Sequence, residues 1–245
     1  MLYRYVKARV RYTSAPAVVL PNRFARFLPT FLLVVGLFLI SSAAAPISYY
    51  QFFISPNFGR EMVKPVADDF LTVKAQKQEV LGEQANLDMS KASNWFPSAP
   101  RLEIRPSKIT SYSLSIPKLK IKDATVIIGG EDLMKSLIHY SGTALPGQFG
   151  STVVFGHSTL PQFSSPDDYK SIFTTLPKLK KGDVILVYFD GVNYRYVVEE
   201  MVEVKPDDIS VLEQRYDDSY ITLITCVPPG TYLRRLVVRA RLTPR

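Results

Sequence analysis

Thr222-Leu223-Ile224-Thr225-Cys226 and Arg235-Leu236-Val237-Val238, which starts nine residues after the cysteine, are two short β-prone runs separated by Pro228-Pro229-Gly230. Alternating apolar and polar residues rich in Ile, Val and Thr mark strands, and the prolines and glycine between them mark a turn. Cys226 therefore closes one strand and Arg235 opens the next. Upstream, Thr152-Val153-Val154-Phe155-Gly156-His157-Ser158 reads as a β-branched strand that stops at a glycine and offers an imidazole at its end. Cysteine, histidine and arginine all fall at strand termini.

These three residue types suit one chemistry. A free thiol is mostly protonated at neutral pH, and a nearby cation favours the nucleophilic thiolate. A histidine within hydrogen-bond reach can protonate a leaving amine and later deprotonate an incoming one. Arginine, permanently charged and forked, suits a developing oxyanion or the carbonyls of a peptide. Together they suggest acyl transfer through a thioester. Taken singly, each has a plainer reading: an inert core thiol, or a structural histidine.

The motif Thr222-Leu223-Ile224-Thr225-Cys226, the Pro228-Pro229-Gly230 turn and Arg235-Leu236-Val237-Val238-Arg239 resemble the signature of sortases, cysteine transpeptidases of the bacterial surface. Phe155-Gly156-His157-Ser158 resembles their catalytic-histidine motif, and Gly142-Thr143-Ala144-Leu145-Pro146-Gly147-Gln148 the stretch leading into it. The resemblance covers roughly Ser111 to Leu242. It implies Cys226 as nucleophile, His157 as general acid/base, Arg235 as the substrate and oxyanion arginine, and Thr225 as oxyanion support. Arg234 and Arg235 point to opposite faces of a strand. Arg235 is assigned because it directly precedes the aliphatic run, and Arg234 is expected to be solvated. His139 lacks the strand-Gly-His context and is read as structural.

Charge places the ends of the chain. Of its 30 Lys and Arg residues, Arg4, Lys7, Arg9, Arg11, Arg23 and Arg26 precede Phe27 with no acid among them. Removing these six leaves 24 basic against 22 acidic residues, so most of the formal +8 belongs to an N-terminal tail rather than to a nucleic-acid-binding face. No charged residue occurs from Phe27 to Gly59, a run long enough to cross a hydrocarbon core of about 30 Å as a helix. Positive charge before it and acids only after it place the N-terminus in the cytoplasm and the bulk of the chain outside a bacterial membrane, as a single-pass protein. Tyr49, Tyr50, Phe52 and Phe53 are expected to form an aromatic belt at the outer interface. Ala43-Ala44-Ala45 offers the alternative of a cleaved signal peptide. A single cysteine excludes an internal disulfide.

Beyond the span, Val63, Val66, Phe70, Val73 and Val80 recur with partly helical spacing, predicting one amphipathic helix within Met62 to Leu81. Ser93-Asn94-Trp95-Phe96-Pro97-Ser98-Ala99-Pro100 reads as a proline-rich linker in which the only tryptophan serves as a hydrophobic anchor. Pilin-building sortases carry an Asp-Pro-aromatic lid near this point. Trp95-Phe96 resembles its aromatic part, but the preceding acid is missing. The expected organisation is a basic cytoplasmic tail over 1–26, a transmembrane anchor over 27–50, a linker with an amphipathic helix over 51–105 and a catalytic barrel over 106–245.

Strands are expected at Tyr112 to Ile116, Thr125 to Ile128, Thr152 to Phe155, Val184 to Phe189, Tyr194 to Val204, Ile221 to Thr225 and Leu236 to Arg241, with short helices or turns at Leu133 to His139 and Tyr169 to Leu176. Many short strands at close spacing suggest a closed, mainly β barrel. The resemblance makes it an eight-stranded sortase-type barrel, preceded by one transmembrane helix and a partly helical linker. Some sortases bind calcium between acidic loops. Asp167-Asp168, Glu199-Glu200, Glu203 and Asp207-Asp208 lack the ordered spacing of such sites, so they are read as solvated loop charges and no cofactor or metal is expected.

The resemblance further implies that secreted proteins bearing a C-terminal signal similar to Leu-Pro-x-Thr-Gly are the substrates, with a peptidoglycan precursor or a pilin lysine as the accepting amine. Two alternatives remain: a cysteine protease that resolves the same intermediate with water, and a catalytically idle, membrane-tethered peptide-binding module.

Overall fold

The computed structural model describes residues 22–59, 88–96, 99 and 109–243. The amphipathic helix expected within Met62 to Leu81 lies outside the described residues. Two compact units divide between Ala44 and Ala45. The first includes most of helix α1 (Asn22–Tyr49), part of a helical stretch, Phe27–Asn57, that is long and apolar enough to cross a membrane.

The second unit is built on a closed barrel of eight strands: β1 (Ser111–Ile116), β2 (Ile121–Ile128), β3 (Leu137–His139), β4 (Gly150–Phe155), β5 (Val184–Phe189), β6 (Val192–Val204), β7 (Ser219–Val227) and β8 (Arg234–Leu242). Around the barrel the order is β1-β2-β3-β4-β7-β8-β6-β5. Seven strands lie where the sequence places them. The eighth, β3, takes the last three residues of Leu133 to His139, expected as a short helix or turn; Leu133 to Lys135 do form a turn. Three residues are too few to show a period, and β3 exists because Val126, Ile127 and Ile128 of β2 pair with it in parallel while β4 closes its other edge. His139 lies on β3. Its ring nitrogens sit 3.1 Å from the Tyr112 hydroxyl and 3.0 Å from the Thr143 hydroxyl, and burial pulls its pKa down to about 4, so it is a neutral core histidine.

Two apolar clusters cover the two faces of the sheet. One draws Leu114, Val126, Leu137, Val154, Ile185, Tyr196, Leu223 and Leu236 from all eight strands and fills the barrel interior. The other lies on the outer face, where Val153, Phe155, Ile224, Cys226 and Val237 are roofed by Trp95, Phe96, Leu133, Val211 and Leu212. Strand β7 borders both clusters, and all nine of its residues are buried. That explains its nearly continuous apolar run, since a strand covered on both faces gains nothing from polar alternation.

Two sequence expectations change. Glu199, Glu200 and Glu203 are on strand β6 rather than in loops. Glu199 pairs with Arg241 at 2.8 Å, Glu200 with Arg239 at 3.5 Å, and Glu203 is buried. Tyr50 leaves the aromatic belt: Tyr49, Phe52 and Phe53 are exposed, but Tyr50 packs into the barrel core. Trp95, read from the sequence as a hydrophobic anchor in a linker, is completely buried.

Candidate active site

Each candidate residue is positioned by strand register. Strands β7 and β8 pair antiparallel, and Cys226 lies directly opposite Arg235, with Val227 opposite Arg234. Cross-strand partners share a face, so Arg235 and Cys226 project together while Arg234 points away. Arg235 is 2% exposed. Arg234, expected in solvent, is half-buried, within electrostatic reach of the Tyr50 hydroxyl.

Strand β4 runs parallel to β7 and ends at Phe155, which pairs with Ile224, two residues before Cys226. The chain turns at Gly156, whose N–H donates to the Ile224 carbonyl at 3.2 Å. A Cβ here would lie 2.4 Å from Phe173 and 2.6 Å from Leu137, so only glycine permits the turn that delivers His157 beside the end of β7. The Ser158 hydroxyl donates to the Cys226 carbonyl at 2.6 Å, and the Thr225 hydroxyl to the Gly156 carbonyl at 2.8 Å. Thr225 thus ties the histidine turn to the cysteine strand. Its hydroxyl is engaged there.

The tryptophan sits among all of these groups. Its indole ring centre lies 5.8 Å from the His157 ring and 5.4 Å from the Arg235 guanidinium carbon, and it stacks on Phe155 at 5.4 Å. Arg235 donates to the Trp95 carbonyl at 3.3 Å and to the Tyr232 carbonyl at 3.1 Å. The short segment carrying Trp95 is latched to the loop after β2: Ala92 donates to the Glu131 carbonyl at 3.0 Å, Ser93 to the Glu131 carboxylate at 3.0 Å, and Leu133 to the Ser90 carbonyl at 2.9 Å. Nothing local in the sequence placed this segment over the cysteine. Its only signal was that Trp95 is the sole tryptophan and follows the lid pattern in part.

Burial sets the protonation states. It pushes the Cys226 thiol up to about 11, partly offset by the charge of Arg235. Burial also lowers the pKa of His157, against the opposing pull of Asp132 and Asp88. With Trp95 in place, thiol and imidazole are both neutral near pH 7. His157 Nε2 and Arg235 Nε are buried without a hydrogen-bond partner among the described residues. Unpaired buried polar atoms are costly, and both of these belong to groups that pack against Trp95.

The sequence matches the Sortase domain profile over residues 114–243. The chain belongs to the sortase family. Sortases are cysteine transpeptidases of the cell surface that act on sorting-signal substrates and amine acceptors to anchor proteins at the cell wall, and this chain is one of them. It is 28% identical over 196 residues to Sortase A of Bacillus anthracis, covering 73% of this chain and 86% of that protein. It is 26% identical to Sortase A of Staphylococcus aureus over 185 residues, 66% of this chain and 77% of the other. Sortase C-1 from Actinomyces oris superposes with a TM-score of 0.50 at 28% identity, over 57% of this chain and 77% of that one. The eight-stranded barrel is the sortase barrel, and the one apolar N-terminal helix accords with membrane anchoring.

Proposed function

We propose that this sortase cleaves a Leu-Pro-x-Thr-Gly-like signal and transfers the acyl fragment to an amine, with Cys226, His157 and Arg235 as its working residues. The observation that carries this reading is the register that sets Arg235 opposite Cys226 while the end of β4 brings His157 level with them. The Cys226 thiol passes its proton to His157 as the sulfur attacks the Thr-Gly carbonyl, forming a C–S bond, and the C–N bond then breaks. His157 gives its proton to the departing glycine amine. Arg235 holds the oxyanion, in a site where a dry surround strengthens the charge interaction. An incoming amine then loses a proton to His157, attacks the thioester and releases the thiol. The amine belongs to a peptidoglycan precursor or to a pilin lysine. Thr225 contributes by holding the turn that presents His157.

The organisation supports work at a membrane: a cytoplasmic tail over 1–26, an anchor over 27–50, a linker over 51–105 and the catalytic barrel over 106–245. The discriminating test incubates the enzyme with a sorting-signal peptide, with and without an added primary amine. A new amide product formed at the expense of free acid is expected; hydrolysis unaffected by the amine would make the chain a protease.

Trp95 must leave for a peptide to reach Cys226, so the segment from Asp88 to Phe96 acts as a lid, its Trp95 carbonyl holding Arg235. Burying such a ring contributes about 2 kcal/mol, so Trp95→Ala is expected to raise the alkylation rate of Cys226 roughly thirtyfold. Cys226 is the only thiol, so whole-protein mass spectrometry reads the rate directly. An unchanged rate would show that Trp95 does not guard the site.

A further inference from the structure

Residues 50–59, immediately after the apolar run, form a clasp on the barrel. Strand β5 leaves β6 at Val197, so the later part of β6 has a free edge on that side. Gly59 covers it as a parallel bridge to Val202, donating to the Met201 carbonyl at 3.2 Å and accepting from the Glu203 N–H at 2.8 Å. Glu203 is 3% exposed, and its carboxylate receives two hydroxyls, from Tyr50 at 2.5 Å and Ser55 at 2.8 Å. A buried carboxylate is tolerated when its oxygens are paired in this way, and breaking the pairing is costly. Ile54 and Phe58 pack against the interior core beside Tyr50.

The clasp is at the working end of the barrel. Val204, next to Glu203, pairs with Arg235, which pairs with Cys226, so clasp and cysteine are about two strand spacings, roughly 10 Å, apart. The far end of β7, at Ser219, lies roughly 23 Å further from the membrane-proximal segment along the strand. Tyr49, Phe52 and Phe53, on either side of the buried Tyr50, are 59%, 75% and 66% exposed. Tyr232 and Leu233, in the loop between β7 and β8 at the same end, are 56% and 67% exposed. Exposed aromatic and aliphatic side chains flanking an apolar helix suit a lipid interface.

We propose that the Glu203 clasp holds the Cys226 end of the barrel against the lipid surface, with Tyr232 and Leu233 as a second contact, so that the thiol works close to the bilayer. This rests on the membrane-anchor reading above. Glu203, Tyr50 and Ser55 are positioning residues: they touch no reacting atom.

The lone tryptophan provides a readout independent of catalysis. The full chain is reconstituted in phosphatidylcholine/phosphatidylglycerol vesicles carrying a spin label on the lipid headgroup, and Trp95 emission is recorded. Emission is expected to be halved or more in the wild-type chain, and Tyr50→Phe/Ser55→Ala should lose at least half of that quenching while its circular dichroism is retained. If the double variant does not fold, Ser55→Ala alone is measured for the same loss. A wild-type chain that cosediments with vesicles but is unquenched, or a folded variant quenched as the wild type is, overturns the proposal. A chain that does not cosediment overturns the anchor reading itself, and the clasp's role at the lipid surface with it.

Discussion

Cys226→Ala is expected to abolish cleavage of a sorting-signal peptide, a fall of roughly 10⁴-fold or more, because removing a covalent nucleophile removes the pathway itself. The fold should survive. Cys226 belongs to the outer-face cluster with Ile224 and Val237, and exchanging a thiol for a methyl group leaves only a small void there. The assay is peptide turnover, with the thermal melt as control. Appreciable cleavage by a folded Cys226→Ala protein would eliminate the thioester mechanism.

Arg235→Lys is expected to cost far more than Arg234→Lys. A lysine keeps the charge but not the fork that reaches both the Tyr232 and Trp95 carbonyls in the resting site, and that would turn to the substrate oxyanion once the lid departs. An oxyanion-type contact is worth about 3 kcal/mol, on the order of a hundredfold in kcat/KM. Arg234 lies on the opposite face of β8, so its replacement by lysine should leave kcat/KM near the wild-type value. If Arg234→Lys proves the damaging change, the strand register is wrong by one residue.

The cysteine, histidine and arginine were legible because each sits in a short local pattern. The alternation through Thr222 to Cys226, the glycine stop before His157 and the aliphatic run after Arg235 depend on neighbours in the chain alone. The faces of Arg234 and Arg235 were legible for the same reason, since strand geometry alternates regardless of context. Strand β3 was not, because its three residues owe their conformation to partners on β2 and β4. Glu203 was read as a solvated charge because no sequence pattern shows that Tyr50 and Ser55, some 150 positions earlier, would donate to it.

The sequence by itself determined a β barrel with a cysteine, a histidine and an arginine at its strand ends and an apolar run at its start. Local periodicity and charge patterning, which need no distant partner, are enough for that. Only the tertiary structure decided that Trp95 packs against His157 and Arg235, that Thr225 is engaged by the Gly156 carbonyl, and that Tyr50 is withdrawn from the aromatic belt into the barrel. Each of those outcomes is a contact between segments far apart in the chain, made because a buried ring, hydroxyl or carboxylate must find its partner wherever the closed barrel places one.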